Sequence, residues 1–289
     1  MRRARGSPAG RVVDPTKFDV VEKGFYSPVP DVHDVGPDHF DRPHGLRGIE
    51  LDLDAQMRFI EEELAAWIVE FAPPPKATGV PGEYFVDNGV YASVDGDVLY
   101  AMARHLPPRQ VIELGSGHST LVLARAARDN AATGTETHVT TIDPYRNPIV
   151  PDDLEGLAEL RAERAQDVPL EEFEALGEGD VLFVDTSHVA KTGSDVNFVI
   201  LDVLPALAPG VYVHFHDIFL PYEYHRHWVE NGPYWNEQYL LQAFLALNPH
   251  YEVVLANHAL LRTNYDRLRG VVPSLHTHQP SAFWIRRRR

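Results

Sequence analysis

Two stretches of the 289-residue chain place chemically useful residues at useful spacings. The first is Val111-Ile112-Glu113-Leu114-Gly115-Ser116-Gly117-His118-Ser119-Thr120, an apolar run that enters a glycine turn with helical text directly behind it. Gly115 and Gly117 let the backbone bend sharply and let a ligand approach with no Cβ in the way. The N–H groups of the opening helix then favour an anionic or carboxylate-bearing ligand. The second stretch is a pair of apolar runs that each end in an acid with a histidine close by. They are Val181-Leu182-Phe183-Val184-Asp185-Thr186-Ser187-His188 and Val211-Tyr212-Val213-His214-Phe215-His216-Asp217. Carboxylate and imidazole at strand ends can move a proton or hold a metal ion.

The glycine turn admits few ligands. A dinucleotide fingerprint puts a third glycine where Thr120 stands. A P-loop needs Gly-Lys-Ser/Thr after four intervening residues, and that text is absent. The remaining ligand reading is acid-x-Gly-x-Gly, the first motif of S-adenosylmethionine methyltransferases, with Glu113 as the acid for an amino-bearing ligand. A turn of purely structural use is the alternative. Asp143, closing Thr141-Ile142-Asp143, puts a carboxylate where ligands of open α/β sheets bind, and it can accept both ribose hydroxyls. Dehydrogenases place an acid there too. Gln166-Asp167, after the third strand, stands where an adenine amino group is usually read. Glu113, Asp143 and Asp167 in that order are more specific than any one of them. The cofactor set is therefore Glu113, Gly115, Ser116, Gly117, Ser119, Thr120, Asp143, Gln166 and Asp167.

The elements that must position these residues alternate. Val111–Leu114, Thr137–Ile142, Val181–Val184 and Val211–Phe215 read as strands, with helical text at His118–Arg128, Leu170–Ala175 and Ser194–Leu207. Such alternation predicts a doubly wound, Rossmann-like α/β sheet. Glu237–Leu247 reads as a further helix, and Tyr251–Leu255 and Ala282–Ile285 as the last strands. Ahead of this domain, assigned to residues 91–289, residues 14–90 form an arm and an amphipathic helix that carries Met57, Ile60, Leu64, Trp67 and Ile68 at helical spacing. Residues 1–13 read as a flexible basic leader. The arm, with Phe25-Tyr26-Ser27-Pro28, cannot fold alone and is expected to lie over the substrate cavity as a lid or interface.

Charge narrows the partners. The chain holds 26 Lys and Arg against 42 Asp and Glu, a net charge of −16. Setting aside the eight arginines near the two ends leaves 18 basic residues against the same 42 acids, a charge of −24. That body repels phosphate backbones, so nucleic acid is not an expected partner. There is no cysteine, which removes disulfides, thiolate nucleophiles and iron–sulfur clusters. No apolar stretch has the length of a membrane span, and no apolar segment follows the basic N-terminus, so a cytoplasmic protein without a membrane partner is expected. A small-molecule substrate is the expected partner, and a homo-oligomer is allowed.

From about Tyr91 to Ile285 the chain resembles a class I S-adenosylmethionine-dependent methyltransferase. Within that class it is similar to the small-molecule and sugar O-methyltransferase branch that also holds cephalosporin-hydroxylase-like proteins. The glycine-turn phrase, Val184-Asp185-Thr186-Ser187-His188 and His214-Phe215-His216-Asp217-Ile218 carry the resemblance. It implies seven strands with the last antiparallel, a place that Ala282-Phe283-Trp284-Ile285 fits.

The resemblance also implies a site for a divalent ion. Related metal-dependent enzymes join an acid after strand four to two residues after strand five, and Asp185, His216 and Asp217 match those places. The magnesium enzymes carry a carboxylate where this chain has His216, so manganese, iron and zinc join magnesium as candidates. The period of two puts His214 and His216 on one face of a strand that is normally apolar throughout. A metal-free network is the alternative, with His214 bonded inside the sheet and His216 positioning substrate. Asp185 and His188 leave one turn, and His188 has the pKa range of a general base for a substrate hydroxyl; a loop-capping histidine is its alternative. Tyr26, His214, Tyr222, Trp235 and Glu237 are the expected substrate contacts. The pairs His225/His227 and His276/His278 read as solvated loops.

The expected activity is transfer of a methyl group to an oxygen of a small polar metabolite or sugar. Its rivals are a metal-dependent hydroxylase-like enzyme on the same fold and a nucleotide-binding module without catalysis.

Overall fold

The computed structural model describes residues 24–31, 33, 35, 36, 38–275 and 279–288. The basic leader and the pair His276/His278 lie outside the described residues. Among those described, no helix is long and apolar enough to cross a membrane.

The helix ahead of the sheet is capped by Asp52, which accepts the N–H of Ala55. It runs as α1 (Leu53–Phe59), widens into a π-helical turn at Ile60–Leu64, and continues as α2 (Ala65–Phe71). Met57, Ile60, Leu64, Ile68 and Phe71 form its buried stripe. That stripe packs into the same core as α3 (Asp95–His105) and α4 (His118–Ala132), so this helix is built onto the sheet domain. Burying each such side chain stabilises by about 1.5–3 kcal/mol.

The strands are β1 (Gln110–Leu114), β2 (His138–Ile142), β3 (Glu159–Arg161), β4 (Val181–Val184), β5 (Tyr212–Phe215), β6 (Tyr251–Ala256) and β7 (Phe283–Arg287). They form one sheet in the order β3-β2-β1-β4-β5-β7-β6, and β7 runs antiparallel to both its neighbours. The doubly wound sheet with an antiparallel last strand is as the sequence predicts. Strand residues alternate between two cores. Val111, Val139, Val181 and Phe183 face α1 to α4, whereas Ile112, Ile142, Leu182, Val184 and Phe215 face the other layer. That second layer holds α5 (Leu170–Glu174), α6 (Asp195–Phe198) with the π-turn Val199–Val203, and α7 (Leu204–Ala206). The remaining helices are α8 (Arg226–Asn231), α9 (Glu237–Leu245), α10 (Asn257–Thr263) and α11 (Tyr265–Val271). Of these, α9 completes the second layer, while α10 and α11 send Leu260 and Leu268 into the first core.

One cross-strand row explains two polar residues in the sheet. Thr141, Glu113, Phe183, His214 and Trp284 stand in register across five adjacent strands. Thr141 donates to Glu113 at 2.6 Å, and His214 stacks on Phe183 at 4.0 Å between ring centroids. Trp284 closes edge-on against His214 at 4.9 Å.

Candidate active site

Strand ends decide which residues meet. The backbone N–H groups of Gly115, Asp185 and His216 donate to Ile142, Leu114 and Val184, each at 2.9 Å. These bonds set the first residues beyond β1, β4 and β5 side by side at the carboxyl edge of the sheet, where open α/β sheets bind ligands.

A cleft of about 530 Å³ opens there, lined by Gly115, Ser116, Asp143, Gln166, Asp185 and Ser187 among others. Asp143 organises its near wall. Its Oδ2 accepts the N–H and hydroxyl of Ser116 at 3.0 and 2.5 Å, and its Oδ1 accepts the N–H of Tyr145 at 2.8 Å. Gln166 reaches across to donate to the Gly193 carbonyl at 3.0 Å.

The rest of the sequence-derived cofactor set stands behind the turn. Glu113 is fully buried and accepts from Ser119 at 2.7 Å as well as from Thr141. Burial outweighs these bonds and pushes its carboxyl up to about 7. Ser119 is buried with it, and the buried Thr120 hydroxyl accepts the Gly117 N–H at 3.0 Å. These three side chains shape the turn and do not line the cleft. Asp167 is likewise not in the wall. It is exposed and held by Arg164 through two hydrogen bonds of 2.7 and 2.6 Å, which keep its carboxyl below the usual range.

Beside the cleft, the structure brings together Asp185, His188, His216 and Asp217. His188 Nε2 lies 3.2 Å from Asp185 and 3.6 Å from Asp217, while His216 Nδ1 lies 3.5 Å from each of the same two acids. One ligand atom from each of Asp185, His216 and Asp217 lies within 4.8 Å of the others. His188 and Asp217 hold φ of +58° and +57°, a left-handed backbone that non-glycine residues adopt at a cost and often at working sites.

Electrostatics follows from this crowding. Burial opposes charge on His188, but hydrogen bonds donated to Asp185 and Glu237 outweigh it and move its pKa up to about 10. His216 is likewise pushed up by Asp217 and Asp185 against its burial. Asp217 is drawn down to about 2, because the two imidazoles overcome its own burial.

Several expected substrate contacts fall elsewhere. Glu237 is a correction: it is 1% exposed and sits behind His188, accepting from Nδ1 at 2.9 Å. His214 is another. It is fully buried in the aromatic row, close to the Tyr91 hydroxyl at 3.3 Å, and its pKa falls well below the usual value because burial disfavours the charge. Tyr26 is 95% exposed and touches Phe25 edge-on, so it does not cover the cavity. Tyr222 is buried against His258, with the Arg262 guanidinium 4.6 Å from its ring centre. Trp235 does reach the site, with its ring 4.3 Å from that of His188. His225 is a correction to the solvated-loop reading: it is half-buried and packs on Phe219 at 4.6 Å, with its pKa lowered by burial.

Sequence reasoning missed two supporting residues. Asp95, at the start of α3, is 3% exposed and lies 3.6 Å from His216 Nε2. Its carboxylate also accepts from Asn257 and from the N–H groups of Ser281 and Ala282 at 2.9, 2.7 and 3.1 Å. The Ser281 hydroxyl donates to Asp217 at 3.0 Å and sits 3.2 Å from His216 Nε2. An acid pair, Asp95 and Asp97, inside an otherwise buried helix was the available signal.

Comparison with known proteins agrees with this geometry. Residues 112–218 match the family described as a methyltransferase domain, a span that holds the glycine turn, Asp143, Asp185, His188, His216 and Asp217. The seven strands with an antiparallel β7 are those that the resemblance to class I S-adenosylmethionine-dependent methyltransferases implies. Among individual proteins, it is 26% identical over 165 residues to an uncharacterized protein of Archaeoglobus fulgidus, covering 53% of this chain and 72% of that one. A solved apo-structure of CmcI-N160 matches at 17% identity and a TM-score of 0.42, over 86% of this chain and 87% of that one. An O-methyltransferase from Bacillus cereus, solved in complex with SAH, matches at 15% identity and a TM-score of 0.41, over 82% and 91% of the two chains.

Proposed function

We propose that the protein methylates a hydroxyl oxygen of a small polar acceptor, with sugars and glycosylated metabolites as the acceptor class. The position of Asp185 carries this reading. One carboxylate belongs both to the wall of the 530 Å³ cleft and to the cluster of His188, His216 and Asp217. A methyl donor in the cleft and an acceptor over the cluster would therefore share a boundary, which is the positioning that methyl transfer requires.

S-adenosylmethionine, when bound, supplies an electrophilic methyl group on a sulfonium centre. Asp143 would meet the ribose from the rim of β2, Gly115 and Ser116 would line the cleft beside it, and Gln166 would face the adenine side. The donor set of Asp185, His216 and Asp217 also fits a divalent ion, which would orient acceptor oxygens and lower the pKa of the hydroxyl. His216 would ligate through Nδ1, with Asp95 near its Nε2 supporting the ring. The single imidazole leaves manganese, iron and zinc open beside magnesium.

His188 is the proton acceptor of this reading. With carboxylates on both its nitrogens it is an imidazolium at neutral pH in the free protein. It becomes a base once positive charge in the occupied site offsets those carboxylates. His188 would then take the hydroxyl proton at Nε2, while Glu237 holds Nδ1 and fixes the ring. Trp235 offers the acceptor a flat apolar face beside that ring.

The test is calorimetric titration with S-adenosylhomocysteine, followed by turnover assays on a panel of sugars and glycosides. Tight binding with release of S-adenosylhomocysteine from one acceptor class is expected. Binding of nicotinamide dinucleotides in its place would overturn the reading.

A further inference from the structure

A second group of metal-ligating side chains lies outside the reaction cluster. His39, His44 and Glu223 each offer one ligand atom, and those atoms lie within 4.8 Å of one another. His39 Nε2 is 3.4 Å from Glu223 Oε2, and the two histidine rings meet edge-on at 5.0 Å between centroids. Methyl transfer as derived above uses none of the three.

The group is built into the fold. Glu223 is only 9% exposed, and its Oε1 is occupied by the Tyr239 hydroxyl at 2.6 Å, the Tyr224 N–H at 2.8 Å and Gln238 Nε2 at 3.2 Å. That leaves Oε2 to face His39. His44 Nε2 is buried with no hydrogen-bond partner, which ordinarily costs about 1–3 kcal/mol. The segment that carries both histidines is also pinned in place. The His44 N–H donates to the Pro221 carbonyl at 2.6 Å, Arg262 donates to the Asp41 carbonyl at 3.3 Å, and the Arg226 guanidinium lies 5.6 Å from the centre of the Phe40 ring.

We propose that His39, His44 and Glu223 bind a divalent transition metal, zinc by the nature of the donors. The ion clips the segment 39–44 to the loop that follows β5. Two imidazoles and one carboxylate are a common zinc set, and they leave a fourth position for water. Through Tyr239 and Gln238 the clip bears on the start of α9, where Glu237 orients His188. The proposal does not depend on the methyl-transfer reading.

Equilibrium dialysis of the full chain against zinc alone tests it. An Asp185→Asn, Asp217→Asn double variant removes charged ligands from the reaction cluster and is expected to retain one zinc. Adding His39→Ala and His44→Ala should abolish that equivalent or weaken it at least 100-fold, with an unchanged far-ultraviolet spectrum. Where the quadruple variant does not fold, His39→Gln in the same background answers the question through cobalt. The visible ligand-field bands of bound cobalt should be lost or altered. A double variant that takes up no zinc, histidine replacements that leave its zinc content unchanged, or cobalt bands unmoved by His39→Gln would each overturn the proposal.

Discussion

Gly115 and Asp185 meet backbone to backbone: a Cβ added to Gly115 would stand 1.9 Å from the Asp185 carbonyl oxygen. The φ of +93° at Gly115 disfavours any side chain as well. The turn that shapes the cleft and the residue that joins it to the reaction cluster are thus one packed unit. Gly115→Ala should destabilise by about 2–4 kcal/mol, the sum of overpacking and backbone strain, and should abolish S-adenosylhomocysteine binding. Gly134→Ala is the control, because Gly134 has φ +91° but nothing within 4 Å of its Cβ position. Urea unfolding should show only the strain cost there, about 1–2 kcal/mol. Equal losses in both variants would refute the packing argument.

Glu113 makes a prediction about pH. Its folded pKa of about 7 lies above the ordinary 4.5, so the native state binds more protons than the unfolded chain between those values. Stability from this group is therefore present at low pH and is lost as pH rises through that window, by about 3 kcal/mol. Glu113→Gln should remove this decline and be the more stable protein at pH 8. Its affinity for S-adenosylhomocysteine should change less than about threefold, because the carboxylate lies behind the turn. A tenfold loss would place that charge on the ligand.

Glu237 should act through His188. Glu237→Gln removes one of the two carboxylates that raise His188, so the imidazole should titrate at lower pH. The low-pH limb of kcat should move down with it, and kcat at its optimum should fall by about 10-fold or more as the ring loses its anchor. His188→Ala should cost roughly 10²–10⁴-fold with cofactor binding intact. An unmoved pH profile in Glu237→Gln would reduce that residue to packing.

Metal removal separates two descriptions of the reaction cluster. If an ion lies on Asp185, His216 and Asp217, a chelator should abolish turnover, and one divalent ion should restore it better than the rest. Asp217→Asn should then raise the ion concentration needed for half-maximal activity by at least about 10-fold. Full turnover in the presence of chelator would leave His188 as the sole base.

The parts of this molecule legible in its sequence are those where one strand or one helix decides the outcome. β1, β4 and β5 are short buried runs followed by Gly115, Asp185 and His216, and their places follow from that text alone. β3 was expected ahead of Gln166 but was given no bounds, because its three residues are only partly covered and carry no apolar pattern. α3 was missed because it is buried on nearly every side, so it lacks the polar face that marks an amphipathic helix. The two histidines His214 and His216, in and just beyond β5, show the same limit. Their shared face was legible, but His214 belongs to a stack with Phe183 and Trp284 that exists only once three strands are paired. Asp167 could have been assigned from text alone, since Arg164 stands three residues before it.

The three hydrogen bonds to Asp95 have a consequence for a chain made from its N-terminus onward. Asn257, Ser281 and Ala282 come 162 to 187 residues later, so this carboxylate emerges long before its partners. At about 5–20 residues per second, a ribosome needs roughly ten to forty seconds to deliver the last of them. During that interval β1 to β5 can pair, but the acid beneath His216 has no lasting place to be buried. A growing chain can thus acquire the glycine turn early, while the reaction cluster waits for β7 to thread between β5 and β6. Nascent chains stalled before Ser281 should be half-built in this particular sense, able to form the donor side of the sheet and unable to hold His216 in place.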